Sequence, residues 1–401
     1  MIKKKTKIVA TISDKRCDEN FLKSLYEAGM DVVRINTAHQ ELKGSKKIID
    51  NVRKVSDKIA IMIDTKGPEI RTTQAPEDIV LKAGDIIKIE GNHSKESTRE
   101  FLNVTFDGFV NNLSLGNSIL IDDGEIELLV IDKNDQYLTC KATNDGIIKS
   151  HKSVNVPNVH INLPALSDKD RDYILFAIEN DIDFIAHSFV RCKEDILEIQ
   201  KILDQHNSPI KIIAKIENQQ GVDNIDDILE YAYGVMVARG DLGIEIPYER
   251  IPSIQKLLIN KCIFMRKPVI VATQMLHSMI TNPRPTRAEV SDIANAVYSK
   301  ADALMLSGET ANGCYPLEAV KTMAKVIFET EKTRSLIHHV PQLILNTDIT
   351  AYLAKAAVQA AIDLNCKAII ADSITGRTIR ELAAYRGKNI ILARCYDKRV
   401  I

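Results

Sequence analysis

Eight short apolar segments rich in β-branched residues recur along the chain, and they limit its possible folds more than any other feature. They are KIVATI from Lys7, VVRINT from Val32, IAIMID from Ile59, FIAHSF from Phe184, KIIAKIE from Lys211, GVMVAR from Gly234, PVIVATQM from Pro268 and ALMLSGET from Ala303. Amphipathic stretches separate them. Strands that alternate with helical patterns indicate parallel βαβ units of the α/β class. Eight such units predict a closed (β/α)₈ barrel, and a doubly wound open sheet is the alternative that the pattern leaves open.

Nearly every one of these segments ends in a polar residue. The polar ends are Arg34, Asn36, Asp64, Ser188, Lys215, Glu217, Thr273, Ser307 and Glu309, and Asp241 lies just past its segment. In (β/α)₈ barrels the carboxyl ends of the strands meet at one rim, and active sites lie there. The sequence therefore predicts a functional site built from these side chains.

The segment KIIAKIENQQGV, from Lys211 to Val222, places a cation and a carboxylate at alternate positions. Lys215 and Glu217 therefore lie on the same face of the predicted strand. Asp241 follows about one βα unit later in VARGDLG, a Gly-flanked turn whose free backbone amides suit an anion. These residues suggest a divalent metal that bridges an anionic substrate, although two acids paired with Lys or Arg remain the simpler alternative.

An interruption of about a hundred residues separates the third and fourth segments, which is too long for an ordinary loop. Its short alternating runs, such as DIIKIEG and QYLTCKAT, predict an inserted all-β domain over residues 72–160, which is a candidate lid. The barrel then comprises residues 1–71 and 161–340. After it, two helical and two strand patterns predict a truncated α/β domain over residues 341–401.

Composition excludes several classes of partner. Lys and Arg total 53 against 54 for Asp and Glu, and the net charge is −1, so nucleic acid and anionic membranes are not expected partners. The seven cysteines form no CxxC pair, which favours reduced thiols and a cytoplasmic location. No apolar run approaches the length that crosses a bilayer.

Several longer motifs occur in order: TKIVATI, GMDVVRIN, DTKGPEIR, KIEN, ARGDLG, ATQML, NPRPTRAEVSDIANAV and LSGETANGCYP. With them the chain resembles pyruvate kinase over nearly its whole length up to about residue 335. The resemblance implies a kinase of glycolysis that transfers the phosphoryl group of phosphoenolpyruvate to ADP, giving pyruvate and ATP. It also implies Mg²⁺, K⁺ and a homo-oligomer, either a tetramer or a dimer.

The same resemblance implies metal and substrate roles for individual residues. Glu217 and Asp241 would hold Mg²⁺, and K⁺ would bind to Asn36, Asp64 and Thr65, with Glu69 linked to K⁺ dependence. Lys215 would neutralise the phosphoryl group during transfer, with Arg34 and Arg71 as a clamp. The remaining substrate contacts would come from Ser188, Thr273 and the amides of Gly240 and Asp241, with a protonation relay through Thr273, Ser307 and Glu309.

No P-loop is present, so the resemblance points to His39, Arg71 and Lys152 as the residues that hold ADP. The chain departs from the family pattern at Ala38, where Ser is common, and at Gln40 and Ser153, where Gly is usual. In NPRPTRAEVSDIANAV, Thr286 and Glu289 have the spacing of a capping box before a helix.

Two other functions remain as alternatives. One is a different Mg²⁺-dependent barrel enzyme that handles phosphoenolpyruvate or pyruvate, of the aldolase or mutase type. The other is a catalytically quiet homologue that only binds ligand, suggested by Ala38, Gln40, Asn312 and the short tail. Lys215 beside a lid and a cation-binding DTKG strand favours the kinase over the other barrel enzyme. The presence of Lys215, Glu217, Asp241 and Thr273 favours it over the quiet homologue.

Overall fold

The computed structural model describes residues 4–161, 163–334 and 349–396. In chain order its strands are β1 Lys7–Thr11, β2 Val32–Asn36, β3 Ala60–Asp64, β4 Ile79–Leu81, β5 Ile86–Gly91, β6 Phe101–Val104, β7 Ser118–Ile121, β8 Ile126–Lys133, β9 Leu138–Ala142, β10 Gly146–Ile148, β11 Val154–Asn155, β12 Phe184–His187, β13 Lys211–Ile216, β14 Gly234–Ala238, β15 Val269–Ala272, β16 Ala303–Leu306, β17 Ala368–Ser373 and β18 Ile390–Cys395.

Its α-helices are α1 Glu19–Ala28, α2 Leu42–Val55, α3 Phe109–Asn112, α4 Asp168–Glu179, α5 Lys193–Gln205, α6 Gln219–Asp223, α7 Ile225–Tyr231, α8 Arg239–Glu245, α9 Ile251–Phe264, α10 Arg287–Tyr298, α11 Gly308–Ala311, α12 Pro316–Arg334, α13 Ile349–Asp363 and α14 Arg377–Ala384. Short 3₁₀ turns cover Thr37–His39, Tyr248–Arg250 and His277–Ile280. None of these helices is long and apolar enough to cross a membrane.

Eight parallel strands close into a barrel in the order β1, β2, β3, β12, β13, β14, β15, β16. Closure is direct, because β1 pairs with β2 on one side and with β16 on the other. The predicted (β/α)₈ barrel is confirmed, and the open sheet is excluded. The eight apolar segments of the sequence supply these eight strands.

Successive side chains along each strand point alternately to the surrounding helices and to the barrel interior, which gives two apolar layers. Ile8 and Ala10 of β1 belong to the layer between strands and helices, whereas Val9 belongs to the core inside the barrel with Met62, Met236 and Met305. Both faces of the parallel strands are therefore buried. This explains why the segments read as nearly continuous apolar runs that end abruptly in polar residues at the rim.

The interruption between β3 and β12 folds as a separate β unit. Its main sheet has the strand order β11, β7, β8, β9, β5, β6, and β4 pairs with β10 in a second, two-stranded sheet. The unit has its own apolar core, which includes Ile87, Val104, Leu128 and Cys140. An inserted all-β domain is thus present, while its exact limits at residues 72 and 160 stay a prediction.

The C-terminal part consists of α13, α14 and the parallel pair β17–β18. It packs on the amino-terminal end of the barrel, where Arg386 Nη2 lies 2.6 Å from Asp302 Oδ2 and Arg266 Nη1 lies 2.8 Å from Glu381 Oε2. These elements agree with a partial α/β domain. The predicted division at residues 340 and 341 lies outside the described residues.

A capping box begins α10, as the sequence predicts. The Thr286 hydroxyl accepts from the Glu289 amide at 3.3 Å, and Glu289 Oε2 accepts from the Thr286 amide at 2.7 Å. Partial burial opposes ionisation of Glu289, but hydrogen bonds from Ser278 and Thr286 lower its pKa. The carboxylate therefore ties the preceding 3₁₀ turn to the helix.

We expect Thr286→Ala to lower the free energy of unfolding by about 1 kcal/mol, because the Glu289 amide loses its acceptor. Urea denaturation measures this change. Thr322→Ala, in the middle of α12, is the matched control and should be neutral or slightly stabilising, since alanine is the better helix former. Equal losses of stability in the two variants would contradict the capping role.

Candidate active site

Lys215 lies at the centre of a buried cluster at the carboxyl rim of the barrel. Its Nζ lies 3.1 Å from Asp64 Oδ1, 3.0 Å from Glu217 Oε1 and 2.7 Å from Ser188 Oγ. These residues come from the ends of β3, β12 and β13. Barrel closure thus brings together side chains that are far apart in the sequence.

Arg34 adds a second cation to this cluster. Its Nε donates to Asp64 Oδ2 at 2.6 Å, and its Nη1 donates to the Thr11 hydroxyl at 3.0 Å. Burial opposes ionisation of Asp64, but the charges of Arg34 and Lys215 outweigh it and lower the pKa of this carboxyl. Asp64 is therefore an anion that orients both cations. Thr11 was missed at the sequence level, although it too is a polar residue at a strand end.

Charges in the cluster determine the protonation of Lys215 and Glu217. Burial alone would lower the pKa of Lys215, but the carboxylates of Asp64 and Glu217 raise it above its ordinary value. Burial raises the pKa of Glu217 above its ordinary value; the ammonium of Lys215 opposes this effect, and the nearby Asp241 adds to it. Lys215 therefore stays cationic at neutral pH. The influence of Asp241 on Glu217 also shows that these two carboxyl groups and Lys215 lie at the same end of the barrel.

The two carboxylate oxygens of Glu217 have different partners. Oε2 accepts from the amide of Phe189 at 2.6 Å, whereas Oε1 is buried, accepts no hydrogen bond within the part of the chain that the structure describes, and lies in an ion pair 3.0 Å from Lys215 Nζ. Over the same residues there is no group of three or more His, Cys, Asp or Glu that would hold a metal alone. Two carboxylates, Glu217 and Asp241, fit Mg²⁺, which takes its other oxygens from water and substrate.

The candidate K⁺ ligands lie on neighbouring strand ends. Asn36 and Asp64 are register partners of β2 and β3, and Thr65 follows directly. Asn36 Oδ1 accepts from the amide of Ala38 at 3.1 Å, and the Thr65 hydroxyl accepts from the amide of Ser188 at 3.0 Å. The three residues thus lie at adjacent positions on the carboxyl rim.

Gly67 allows the DTKG turn to approach Ser188. Its φ is +72°, and a Cβ at this position would lie 2.8 Å from the Ser188 Cβ. Ser188 Oγ donates to the Thr65 carbonyl at 2.7 Å. The turn after β3 is therefore held against the turn after β12, which places Ser188 beside Lys215.

His187 is a buried residue of this site that the sequence analysis did not single out, although an imidazole in the apolar run FIAHSF was a visible signal. Its Nδ1 lies 3.2 Å from the Thr65 hydroxyl. Burial lowers the pKa of His187 to about 4; Asp195 and Asp170 oppose this effect, and Lys215 and Arg191 add to it. The ring is therefore neutral in the folded protein.

We expect His187 to make the folded state sensitive to acid. The unfolded chain binds a proton on this residue below pH 6.5 and the folded chain only below about 4, so stability falls as pH drops through this window, by about 3 kcal/mol in total. Urea denaturation between pH 7 and pH 4 should therefore give a shallower pH dependence for His187→Gln than for the wild type. The control is His93→Gln, at an exposed histidine; an unchanged slope for His187→Gln would refute the prediction.

Thr273 lies in a turn with unusual backbone geometry. Its φ is 69° and that of Gln274 is 54°. The hydroxyl donates to the Ala272 carbonyl at 2.6 Å and accepts from the Gly240 amide at 2.8 Å. The Gly240 amide therefore has a partner within the chain, contrary to the expectation of a free amide.

Ser307 and Glu309 lie beside this turn. Glu309 is buried, and its two oxygens accept from the amides of Leu276 at 3.0 Å and Ser307 at 2.8 Å. These bonds fix the loops after β15 and β16. The predicted proton relay through Glu309 stays a prediction, and the observed contacts are structural.

A cleft of about 770 Å³ lies between the β unit and the barrel, and all three predicted nucleotide residues line it together with Asp241. Arg71 Nε lies 2.7 Å from Glu69 Oε2, and its Nη1 donates to the His151 carbonyl at 2.8 Å. Lys152 Nζ lies 2.7 Å from Asp122 Oδ2. Acidic partners thus hold both cations at the cleft wall; Asp122, in the turn DDG, was not predicted.

Comparison with known proteins shows which family the chain resembles. A family model described as pyruvate kinase, barrel domain, matches residues 3–320. The chain is 49% identical over 388 residues to pyruvate kinase of Borreliella burgdorferi, covering 96% of this chain and 81% of that protein. It is 46% identical over 402 residues to pyruvate kinase of Geobacillus stearothermophilus, covering 98% and 68%. A crystal structure of a pyruvate kinase from Cryptosporidium parvum superposes with a TM-score of 0.92 at 38% identity, covering 99% and 84%.

Proposed function

The chain belongs to the pyruvate kinase family, and from this premise we propose that it transfers the phosphoryl group of phosphoenolpyruvate to ADP, giving pyruvate and ATP. It is a phosphotransferase. The main support for the proposal is the position of the Lys215 ammonium, which lies 3.0 Å from Glu217 Oε1, a buried oxygen whose ion pair with Lys215 lacks hydrogen-bond geometry. A cation beside a carboxyl group suits a metal-bound phosphate, because a bound metal favours the ionised carboxylate.

The family requires a divalent metal, and we propose that it is Mg²⁺, bound by Glu217 and Asp241. When bound, it would neutralise negative charge on the substrate oxygens. We propose K⁺ at Asn36, Asp64 and Thr65. The resemblance links Glu69 to K⁺ dependence, because a lysine at this position would supply an internal positive charge; Glu69 is in an ion pair with Arg71.

Lys215 acts on the transferring group through its charge. Because Asp64 and Glu217 raise its pKa, the ammonium keeps its proton and stabilises the negative charge of the phosphoryl oxygens in the transition state. Arg34 is held by Asp64 in a fixed orientation, and Arg71 approaches from the cleft wall. Ser188 Oγ accepts from Lys215 Nζ, donates to the Thr65 carbonyl and lies 3.1 Å from Asp64 Oδ1. The hydroxyl therefore lies between Lys215 and Asp64 and helps to fix their positions.

The substrate carboxylate binds at the Thr273 turn in this proposal. Thr273 offers a hydroxyl, and the amides of Gly240 and Asp241 lie at the start of α8, where helix geometry favours an anion. The Gly240 amide exchanges its Thr273 partner for the carboxylate. This contact fixes the substrate so that its phosphate faces Lys215.

ADP binds in the cleft between the β unit and the barrel, held by His39, Arg71 and Lys152. The β unit already touches the barrel: Asn155 Nδ2 donates to Glu245 Oε1 of α8 at 3.3 Å. Closure of this lid over the substrates excludes water, which protects the phosphoryl group from hydrolysis.

The two alternative functions gain no support from the comparisons. A homo-oligomer, tetramer or dimer, and a cytoplasmic location also belong to the proposal. The location is supported by the seven cysteines, all of which are free thiols. The oligomer rests on the family resemblance.

A coupled assay tests the function directly: pyruvate formed from phosphoenolpyruvate is reduced by lactate dehydrogenase with NADH. We expect turnover that requires ADP and Mg²⁺ and rises with K⁺. Pyruvate formation that does not need ADP would indicate a phosphatase or another barrel enzyme. Binding of phosphoenolpyruvate without any turnover would indicate the quiet homologue.

A further inference from the structure

The turn after β15 has a conformation that its own sequence does not favour. Thr273 and Gln274 both have left-handed backbone angles, with φ of 69° and 54°. A β-branched residue rarely adopts this conformation. Such geometry persists only where the surrounding structure fixes it, so the contacts that hold the turn bear on the position of the Thr273 hydroxyl.

Arg239, the first residue of α8, makes most of these contacts. Its Nη2 donates to the Thr273 carbonyl at 2.6 Å, and its Nε donates to the Ala272 carbonyl at 3.3 Å. Nη2 also lies 2.9 Å from Met275 Sδ. One planar guanidinium thus binds both carbonyls at the start of the turn.

Asp292 holds Arg239 from the other side. It lies on α10, and its oxygens accept from Arg239 Nη1 at 2.7 Å and 2.9 Å. The Arg239 side chain is 12% exposed and that of Asp292 is 32% exposed, so the pair is partly shielded from water. Helix α10, which lies within NPRPTRAEVSDIANAV, is therefore linked to the carboxyl rim of the barrel by the ion pair between Asp292 and Arg239.

The Thr273 hydroxyl in turn accepts from the Gly240 amide, so the turn and the start of α8 are linked twice. We propose that Arg239 and Asp292 are positioning residues for the substrate carboxylate. Their ion pair holds the Thr273–Gln274 turn in its left-handed form and so sets the places of the Thr273 hydroxyl and the Gly240 amide. The inference rests on the proposed function, because it takes Thr273 as the carboxylate contact.

Arg239→Lys and Asp292→Asn test the proposal in complementary ways. The first keeps the charge and loses the planar fork, and the second keeps the shape and loses the charge. We expect each variant to raise the KM for phosphoenolpyruvate roughly 10- to 100-fold, because small displacements of a positioning group have effects of this size. The KM for ADP should stay within about twofold, because the predicted ADP residues line a cleft that neither Arg239 nor Asp292 lines.

The control is Asp183→Asn at the opposite end of the barrel. Asp183 pairs with Arg53, which likewise donates to two backbone carbonyls, those of Ile59 and Asp181. This variant should leave both KM values unchanged. Its loss of an ion pair should only lower the melting temperature. If Asp292→Asn likewise lowers the melting temperature and leaves the KM for phosphoenolpyruvate at the wild-type value, the positioning role is refuted.

A double-mutant cycle with Thr273→Ala shows whether the pair acts through Thr273. In the Thr273→Ala background, Asp292→Asn should change the affinity for phosphoenolpyruvate, measured by calorimetry with Mg²⁺, by no more than about twofold. Independent, multiplicative losses would overturn the inference. A wild-type protein that neither binds phosphoenolpyruvate nor forms pyruvate would instead refute the proposed function, so the two failures are distinguishable.

Discussion

Replacement of Lys215 by methionine is expected to lower kcat about 1,000-fold or more, because the transition state loses the cation that faces the phosphoryl oxygens. The coupled pyruvate assay measures the loss. Methionine has a similar length and no charge, so it removes the ammonium with little change in volume. The KM for ADP should change much less than kcat, since Lys215 does not line the nucleotide cleft.

The same substitution should also destabilise the folded protein. Asp64 and Glu217 are fully buried and lose a shared cation, which costs about 3 to 5 kcal/mol when one partner of a buried ion pair is removed. Circular dichroism at the assay temperature verifies that the variant is folded before kcat is compared. A folded Lys215→Met variant with near wild-type turnover would refute the proposed role.

Lys267→Met provides the matched control for Lys215. Lys267 is also partly buried, and its Nζ donates to the Ala232 carbonyl at 2.8 Å, just before β15 at the amino-terminal end of the barrel. We expect turnover within about twofold of the wild type, because this end of a (β/α)₈ barrel contributes to stability rather than chemistry. A comparable loss in both variants would point to general unfolding.

Replacement of Glu217 by glutamine should raise the concentration of Mg²⁺ needed for half-maximal activity at least about 100-fold. Loss of an outer contact alone costs 10- to 100-fold in metal affinity, and here a direct carboxylate ligand is lost. Glutamine keeps the shape and an acceptor for the Phe189 amide. The metal titration therefore isolates the contribution of the charge.

Asp302→Asn serves as the control for this experiment. Asp302 accepts from the Val269 amide at 2.9 Å and pairs with Arg386 at the far end of the barrel. Its loss should reduce stability and leave the Mg²⁺ requirement unchanged. If Glu217→Gln responds to Mg²⁺ as the wild type does, the metal ligand must be sought elsewhere at the rim.

Much of the site could be predicted because its residues lie at strand ends. Lys215 and Glu217 alternate along β13 and follow an apolar run, so their shared face and their place at the rim follow from local geometry. The capping box of Thr286 and Glu289 is equally local, and the structure contains it. Predictions of this kind need only a few consecutive residues.

Contacts between distant segments could not be predicted in the same way. The Gly240 amide was expected to be free, but it donates to the hydroxyl of Thr273, 33 positions later. Nothing in the segment PVIVATQM indicates that Thr273 is left-handed, since a β-branched residue after a strand usually stays extended. His187 likewise has no local signal of its contact with the Thr65 hydroxyl, because it lies within an apolar strand.

By itself, the sequence determined the number of barrel strands, the inserted β unit and the set of polar side chains at the rim. These features depend on the period of apolar residues and on the direction of parallel strands, which are properties of short segments. Only the tertiary structure decided that Asp64 forms ion pairs with both Arg34 and Lys215, and that Asp292 of α10 pairs with Arg239. Those pairings depend on barrel closure and on how helices pack outside it, and so on distances that no local pattern contains.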